Sequence, residues 1–146
     1  MPKMNPAAKS SEQNQNQVLT LTVDIGGTGI KAETLAPNGK PINDRLRIPT
    51  PKSATPRNVI AVIRKLASQS AKFSRVSTGF PGVVKDGVVY SAPNLGKGWN
   101  GFDLAEALKK QLGHPVRVAN DADVQGLGSV TGKGIELVLK IGRAHV

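Results

Sequence analysis

The chain has 146 residues, no cysteine and a formal net charge of +10. This length suits one ordinary domain, and the missing cysteines exclude a disulfide scaffold and thiolate metal sites and favour the reducing cytoplasm. No stretch approaches the roughly 20 apolar residues of a membrane span, so we expect no membrane partner. The charge fits either a solvated basic surface or a polyanionic partner, but at 3% aromatic residues we expect no nucleic acid partner.

The N-terminal third predicts a polar tail followed by three strands. Residues 1–17 hold almost no apolar side chains, so we expect them to be disordered. Residues 18–24 and 30–36 alternate between apolar and polar side chains, which predicts two strands. An Asn-Gly pair at 38–39 predicts a tight hairpin turn, and residues 41–48 predict a third strand. Together these segments predict an antiparallel meander.

From residue 55 the pattern changes to helices that alternate with strands. Thr55 and Pro56 are typical of an N-cap and a first helical residue. One apolar stripe at helical spacing follows them: Val59, Ile60, Ile63, Leu66 and Ala67. Residues 75–82 predict a short strand that ends in a glycine-proline loop, and the Asp-Gly pair at 86–87 predicts a hairpin.

The last part of the chain predicts a second helix over residues 102–113. Asp103 and Glu106 stand at capping-box spacing, and Gly113 suits the residue just after the helix. Three further segments predict a buried strand, a helix and a last strand: 115–120, 121–132 and 135–141. Three antiparallel strands followed by alternating helices and strands imply an α/β domain with a mixed sheet and helices packed on it.

The segment DIGGTGIK, residues 24–31, places glycines between a strand-end carboxylate and a lysine. Glycines admit an anion to backbone N–H groups, Thr28 adds a hydroxyl, Asp24 could hold magnesium or its water, and Lys31 adds positive charge. The alternative is a plain turn between two strands with a solvated lysine. Residues 27–32 also satisfy the dinucleotide pattern, but that pattern requires a helix where a strand follows here, and the mononucleotide P-loop pattern is absent.

Asn120, Asp121 and Asp123 stand where a predicted strand meets a helix. Ligands of α/β sheets bind at such strand ends, where a carboxylate can accept the proton of an attacking hydroxyl and an amide can fix its carrier. The alternative is an N-cap at Asn120 or Asp121, and both interpretations can hold at once. Four loop residues carry weaker signals, since each could be an ordinary turn or core residue: Gly82, Asn94, Trp99 and Asn100.

Taken together, four segments resemble the ROK family of sugar kinases. DIGGTGIK resembles the family's first phosphate motif, GFPG its sugar-side loop, APNLGKGWNGFDL its substrate loop and VANDADVQGLG its Asn-Asp catalytic motif. Order and spacing agree from about residue 18 to 139. Within the family, GIKAETLAPNGK, TPKSATP and GFPGVVKDGVV are most similar to the polyphosphate glucokinase branch. Each motif is weak alone, but four in register are a specific signal.

The resemblance implies an actin-like, ribonuclease-H-like fold. It also implies transfer of a terminal phosphoryl group from polyphosphate or ATP, with magnesium, to the 6-hydroxyl of glucose or a similar hexose. Asp121 would be the base. The residues implied to face the phosphates are Asp24, Gly26, Gly27, Thr28 and Lys31, with magnesium at Asp24. The residues implied to contact the sugar are Gly82, Asn94, Asn100 and Asn120. The complete protein is expected to be a homodimer.

Departures from the family predict that residues 18–140 are its N-terminal lobe alone. The second glycine-rich turn, the Glu-x-Gly-His motif and the zinc-binding cysteines are absent, so we expect no zinc in this segment. Residues 141–146 match one translated frame of a common sequencing-adapter oligonucleotide, and we expect them to be non-native. One lobe cannot position sugar and donor together, so the chain alone is expected to be inactive and poorly soluble.

Two other classes of function are alternatives to the kinase. The first is a non-catalytic, sugar-binding regulator of the same family, which the polar residues 1–17 disfavour because they are too short for a DNA-binding helix-turn-helix. The second is a dinucleotide-binding oxidoreductase, which the predicted hairpin after the glycines disfavours.

Overall fold

The computed structural model describes residues 17–129. The predictions for residues 1–16, for the strand at 135–141 and for the segment 141–146 therefore lie outside the described residues. The described elements, in chain order, are β1 (Thr20–Ile25), β2 (Gly29–Leu35), β3 (Leu46–Pro49), α1 (Pro56–Gln69), β4 (Arg75–Phe80), β5 (Val84–Lys85), β6 (Val88–Val89), β7 (Phe102–Asp103), α2 (Leu104–Leu112), β8 (Val116–Asn120) and α3 (Asp121–Ser129).

The main sheet has five strands in the order β3-β2-β1-β4-β8. β2 pairs antiparallel with both β1 and β3, whereas β4 pairs in parallel with both β1 and β8. The mixed sheet is thus as predicted. One row of directly opposed residues crosses all five strands: Arg47, Lys31, Asp24, Gly79 and Ala119. This register places residues from distant parts of the sequence side by side.

One face of the main sheet, called here the helix-covered face, packs against α1 and α2. Alternate strand residues are buried on it, among them Val23, Ala32 and Thr78. The predicted stripe of α1 supplies the covering side chains: Val59, Ile63, Leu66 and Ala67 are buried and Ile60 is partly buried. Thr55 is the N-cap as predicted, in extended backbone, but its hydroxyl makes no capping hydrogen bond.

The opposite face, called here the cleft face, carries the polar partners of the same alternation. Asp24, Lys31 and Ser77 lie on it and are all partly exposed. Among the described helices only α3 contacts this face, at β4 and β8. No helix within residues 17–129 has the length and apolar character that crossing a bilayer requires.

A second, three-stranded sheet of β5, β6 and β7 lies beside the main sheet. Its hairpin turns at Asp86 and Gly87, both with positive φ (51° and 84°), as the Asp-Gly pair predicted. Trp99 is only 2% exposed, its ring centroid lies 4.8 Å from that of Phe80, and its Nε1 donates to the Ala54 carbonyl at 2.8 Å. Trp99 is therefore a core residue.

The helix ends of α2 follow the prediction. The Asp103 carboxylate accepts a hydrogen bond from the Glu106 N–H at 2.9 Å, and Gly113 ends the helix in the left-handed conformation with φ of 72°. The two residues of β7 that precede this helix were predicted only as helix, and their pairing with β6 is a long-range contact.

Two strand predictions need correction. The third strand begins at Leu46 rather than at residue 41, because the Thr34 main chain is already bonded to the connection: Ile42 N–H donates to the Thr34 carbonyl at 2.8 Å and the Asn43 side chain accepts from the Thr34 N–H at 2.9 Å. The strand predicted as buried at 115–120 buries only Val118, since β8 lies at an edge of the described sheet.

Candidate active site

A cleft of about 290 Å³ lies on the cleft face of the main sheet. Asp24 at the end of β1, Lys31 on β2 and Asp121 at the start of α3 all line it. Gly79 separates the two carboxylates: it is directly opposite Asp24 in register, and a side-chain carbon added to it would lie 3.9 Å from the Asp121 Cα. The structure thus brings two predicted acidic residues and the predicted lysine into one space.

Lys31 is the direct cross-strand neighbour of Asp24. Its Nζ lies 3.7 Å from the Asp24 carboxylate, and the two side chains are 39% and 46% exposed. An ion pair this exposed adds little to stability. The effect of the pair is on the cleft, where it keeps the Lys31 ammonium beside the Asp24 carboxylate.

The acidic residues of the cleft could hold a magnesium ion only if a phosphate shares its coordination. Within residues 17–129 no three acidic or histidine side chains converge as a metal cage. Magnesium is commonly held by one or two carboxylates together with waters and substrate phosphates. Asp24, half-exposed beside a turn with available N–H groups, therefore fits magnesium that is bound together with a phosphate, and does not fit a metal held by protein alone.

The glycine turn (residues 26–29) joins β1 to β2, with Gly27 and Thr28 exposed at its tip. The Gly26 N–H donates to the Gly29 carbonyl at 3.0 Å and closes the turn. Within the described residues the N–H groups of Gly27 and Thr28 donate to no protein acceptor. The tip therefore presents two consecutive N–H donors, as anion-binding sites formed by backbone do.

The surroundings of the three glycines in the turn differ in how much room they leave for a side chain. None of them has a positive φ. A side-chain carbon on Gly26 would lie 2.8 Å from the Gly29 carbonyl oxygen, and one on Gly29 would lie 2.6 Å from the Arg47 guanidinium. One on Gly27 would meet only Asn94 at 3.6 Å or more, an ordinary contact. Packing against backbone thus explains the absence of a side chain at Gly26, whereas a side chain at Gly29 would require the Arg47 guanidinium to move, and packing does not explain the glycine at Gly27.

Arg47 and Thr50 hold the glycine turn from the side of β3. The Thr50 hydroxyl donates to the Gly26 carbonyl at 2.6 Å. The Thr28 carbonyl accepts from the Arg47 guanidinium at 3.2 Å and from the Thr50 N–H at 3.3 Å. Neither residue was predicted from the sequence, since the three contacts join residues 19 to 24 positions apart and only the register of β3 creates them.

Asn120 connects the catalytic motif to the sugar-side loop (residues 79–82). Its Oδ1 accepts from the Ala122 N–H at 2.8 Å, so Asn120 is the N-cap of α3, as one interpretation predicted. Its Nδ2 donates to the Gly82 carbonyl at 2.6 Å. Gly82 cannot carry a side chain, since one would collide with the Ser91 carbonyl. Two residues implied to contact sugar are thus joined directly.

The other two predicted sugar residues differ in their placement. Asn94 lies against the tip of the glycine turn, its Cβ 3.7 Å from the position that a side-chain carbon on Gly27 would take. Asn100 is exposed in the turn before β7, and its side chain makes no hydrogen bond within residues 17–129. The structure therefore brings Asn94 beside the phosphate motif, whereas no contact among the described residues joins the Asn100 side chain to the other candidates.

The chain matches known sugar kinases in sequence. The model of the ROK family matches residues 20–139. The polyphosphate glucokinase of Mycobacterium tuberculosis (strain ATCC 25618 / H37Rv) is 36% identical over 107 residues, which cover 72% of this chain and 40% of that protein.

Two solved structures share the fold. The inorganic polyphosphate/ATP-glucomannokinase from Arthrobacter sp. strain KM superposes with a TM-score of 0.70 at 38% identity, over 75% of this chain and 47% of that one. A ROK family glucokinase from Streptomyces griseus, in complex with glucose and AMPPNP, gives 0.66 at 30% identity, over 75% of this chain and 35% of that one. The predicted actin-like fold is confirmed.

The chain spans less than half the length of these relatives. The region matched by the family model nevertheless contains all four motifs that the sequence indicated, and its mixed sheet with packed helices is that of the solved relatives. The chain belongs to the ROK family.

Proposed function

We propose that this chain supplies one lobe of a hexose kinase, which transfers the terminal phosphoryl group of polyphosphate or ATP to the 6-hydroxyl of glucose. The observation that carries the proposal is the shared cleft: Asp24, beside the glycine turn, and Asp121, beside the Asn120 amide, line the same space. In this proposal residues 18–140 form the lobe. The complete enzyme is a cytoplasmic homodimer.

Asp121 is the general base of the proposed reaction. Its carboxylate accepts the proton of the sugar hydroxyl while that oxygen bonds to phosphorus, and the bond from phosphorus to the leaving oxygen of the donor breaks. A positioned base of this kind contributes about 10²–10⁴-fold to the rate. Its place as the first residue of α3 supports the role, since that position is fixed by the Asn120 cap.

Asn120 orients the sugar that Asp121 deprotonates. A side-chain amide has two N–H groups and an oxygen with two lone pairs. The bonds to Gly82 and Ala122 use one of each, and they fix the amide plane while leaving one donor and one lone pair for the sugar. Gly82, Asn94 and Asn100 complete the proposed sugar contacts, of which Asn100 has the weakest structural support.

The phosphate side of the reaction is assigned to the glycine turn and Lys31. Phosphoryl transfer asks a protein mainly for positioning and neutralisation of charge. The N–H groups of Gly27 and Thr28 position the phosphate, and Lys31 neutralises part of its charge. Magnesium, held at Asp24 together with the phosphates, would neutralise further charge on the phosphate oxygens when it is bound.

Polyphosphate is proposed as a donor beside ATP. The net charge of +10 favours a long polyanion, whose binding to spread basic charge weakens steeply with salt. The names of the matched relatives contain both donors, which supports the same pair here.

The test is an assay of glucose 6-phosphate formation by the full-length protein, with polyphosphate and with ATP, at low and high salt. We expect activity with both donors and a steeper loss with salt for polyphosphate. Activity with ATP alone would remove the polyphosphate proposal. Glucose binding without turnover on either donor would favour the alternative, a non-catalytic sugar-binding regulator.

A further inference from the structure

Thr50 lies just after β3 and makes two contacts with the glycine turn, neither of which the proposed function uses. Its hydroxyl donates to the Gly26 carbonyl at 2.6 Å, and its own N–H lies 3.3 Å from the Thr28 carbonyl. Thr50 does not line the cleft. Any effect that it has on the reaction must therefore act through the turn.

We propose that Thr50 is a positioning residue for donor binding: its hydroxyl holds the Gly26 carbonyl and thereby directs the Gly27 N–H toward the donor phosphate. This inference rests on the proposed function, in which the tip of the turn binds phosphate. The chemical class of ligand is the terminal phosphate of the donor, whether polyphosphate or nucleoside triphosphate.

The peptide group between Gly26 and Gly27 links the Thr50 hydroxyl to the direction of the Gly27 N–H. The Gly26 carbonyl and the Gly27 N–H belong to one peptide group, and the structure contains no cis peptide bond within the described residues. In a trans peptide the C=O and N–H bonds point in opposite directions. Since the carbonyl points at the Thr50 hydroxyl, the Gly27 N–H points away from Thr50 and outward from the turn.

The flanking residues explain why this peptide needs to be held. Gly26 and Gly27 lie on either side of it, and two glycines impose the weakest steric preference on the peptide between them. The bond from the Gly26 N–H to the Gly29 carbonyl closes the turn but does not involve the peptide group between Gly26 and Gly27. Among the described residues, the Thr50 hydroxyl is the partner that fixes the Gly26 carbonyl.

The position of Thr50 is itself set by the sheet. Pro49, the last residue of β3, is directly opposite Gly29 in register. The Thr50 main chain therefore stays beside the turn whatever its side chain is. A substitution that removes only the hydroxyl leaves the backbone contact to Thr28 in place, so the two contributions can be separated by mutation.

The experiment uses the full-length protein with Thr50→Val, which keeps the branched shape and removes the hydroxyl, and Thr50→Ser, which keeps the hydroxyl. Losing a hydrogen bond of this kind corresponds to roughly a tenfold effect. We expect Thr50→Val to raise the KM for both ATP and polyphosphate by about that factor, with the glucose KM unchanged and kcat within about threefold. Thr50→Ser should restore the donor KM.

Thr55→Val is the matched control, because the Thr55 hydroxyl makes no capping bond and lies outside the cleft. It should leave both KM values unchanged. Equal rises of the donor and glucose KM in Thr50→Val, together with a lower Tm, would overturn the proposal in favour of a structural role. An unchanged donor KM would overturn it as well. A wild-type protein without kinase activity would instead remove the proposed function on which the inference rests.

Discussion

Val23 and Asp24 are neighbours in β1, yet they meet different physical requirements on the two faces of the main sheet. Val23 is 3% exposed, with its side chain on the helix-covered face, whereas the Asp24 side chain is 46% exposed on the cleft face. Thr78 and Gly79 divide in the same way on β4. Side chains on a strand alternate between faces, so of two neighbouring residues one packs in the core and the other faces the cleft. Substitutions on the two faces should therefore have separable effects.

The strongest test of this separation is Asp121→Asn on the cleft side. The amide keeps the size of the side chain and removes the base, so turnover should fall by about 10²–10⁴-fold while glucose still binds. Steady-state kinetics and a glucose titration of the full-length protein measure the two quantities. Turnover within threefold of the wild type would reduce Asp121 to a structural residue of α3.

Ile63→Ala makes the opposite change, on the helix that covers the other face. Ile63 is fully buried in α1, and such truncations cost about 2–5 kcal/mol of unfolding free energy. Urea unfolding should show this loss, with both KM values unchanged in the folded protein. Arg64→Ala, at the exposed next position, is the control and should change stability little. A selective rise of the donor KM in Ile63→Ala would contradict the division of the faces.

Gly27→Ala examines the turn at the end of the cleft face. The site has room for the methyl group, so the variant should be as stable as the wild type or more stable by up to about 1 kcal/mol. The donor KM should nevertheless rise roughly tenfold, because the methyl group keeps phosphate from the N–H groups at the tip.

Gly39→Ala is the matched control for that variant. Gly39 also has open space around it, but its φ of 79° strains an alanine. It should lose about 1 kcal/mol of stability with the donor KM unaltered. If Gly27→Ala instead lost stability and kept its donor KM, the glycine at 27 would serve the fold and not the ligand.

The smallest expected effect is a gain in stability for Thr78→Val. The Thr78 hydroxyl is buried on the helix-covered face and has no hydrogen-bond partner among the described residues. Removing it should stabilise the fold by about 1 kcal/mol and leave the kinetics as they were. A loss of stability on thermal or urea unfolding would mean that the hydroxyl has a partner in the folded protein.

The sequence predicted most elements because their signals are local. The alternation in β1 and β2, the apolar stripe of α1 and the Asp-Gly turn each depend on neighbours within a few residues. The errors arose where distant residues decide. Asn43 replaces strand pairing with a side-chain bond to Thr34, and β7 exists only through its pairing with β6. The alternation of apolar and polar residues along the sequence does not predict either of those contacts.

The same distinction applies to the candidate site. Asp24 and Asp121 were predicted because recognisable motifs surround them, and the structure places both in one cleft. Arg47 and Thr50 carry no motif of their own, and only the pairing of β3 with β2 brings them to the glycine turn. The roles of all these residues stay predictions until the variants are measured.

Trp99 is the single tryptophan of this chain, so its fluorescence has one origin. The indole is in contact with the Phe80 ring of the sugar-side loop and with the Phe102 ring of β7, and it is hydrogen-bonded to the Ala54 carbonyl before α1. Any rearrangement of these three segments changes the environment of the same fluorophore. The wavelength and intensity of its emission are therefore a label-free optical signal for motion around the sugar-side loop.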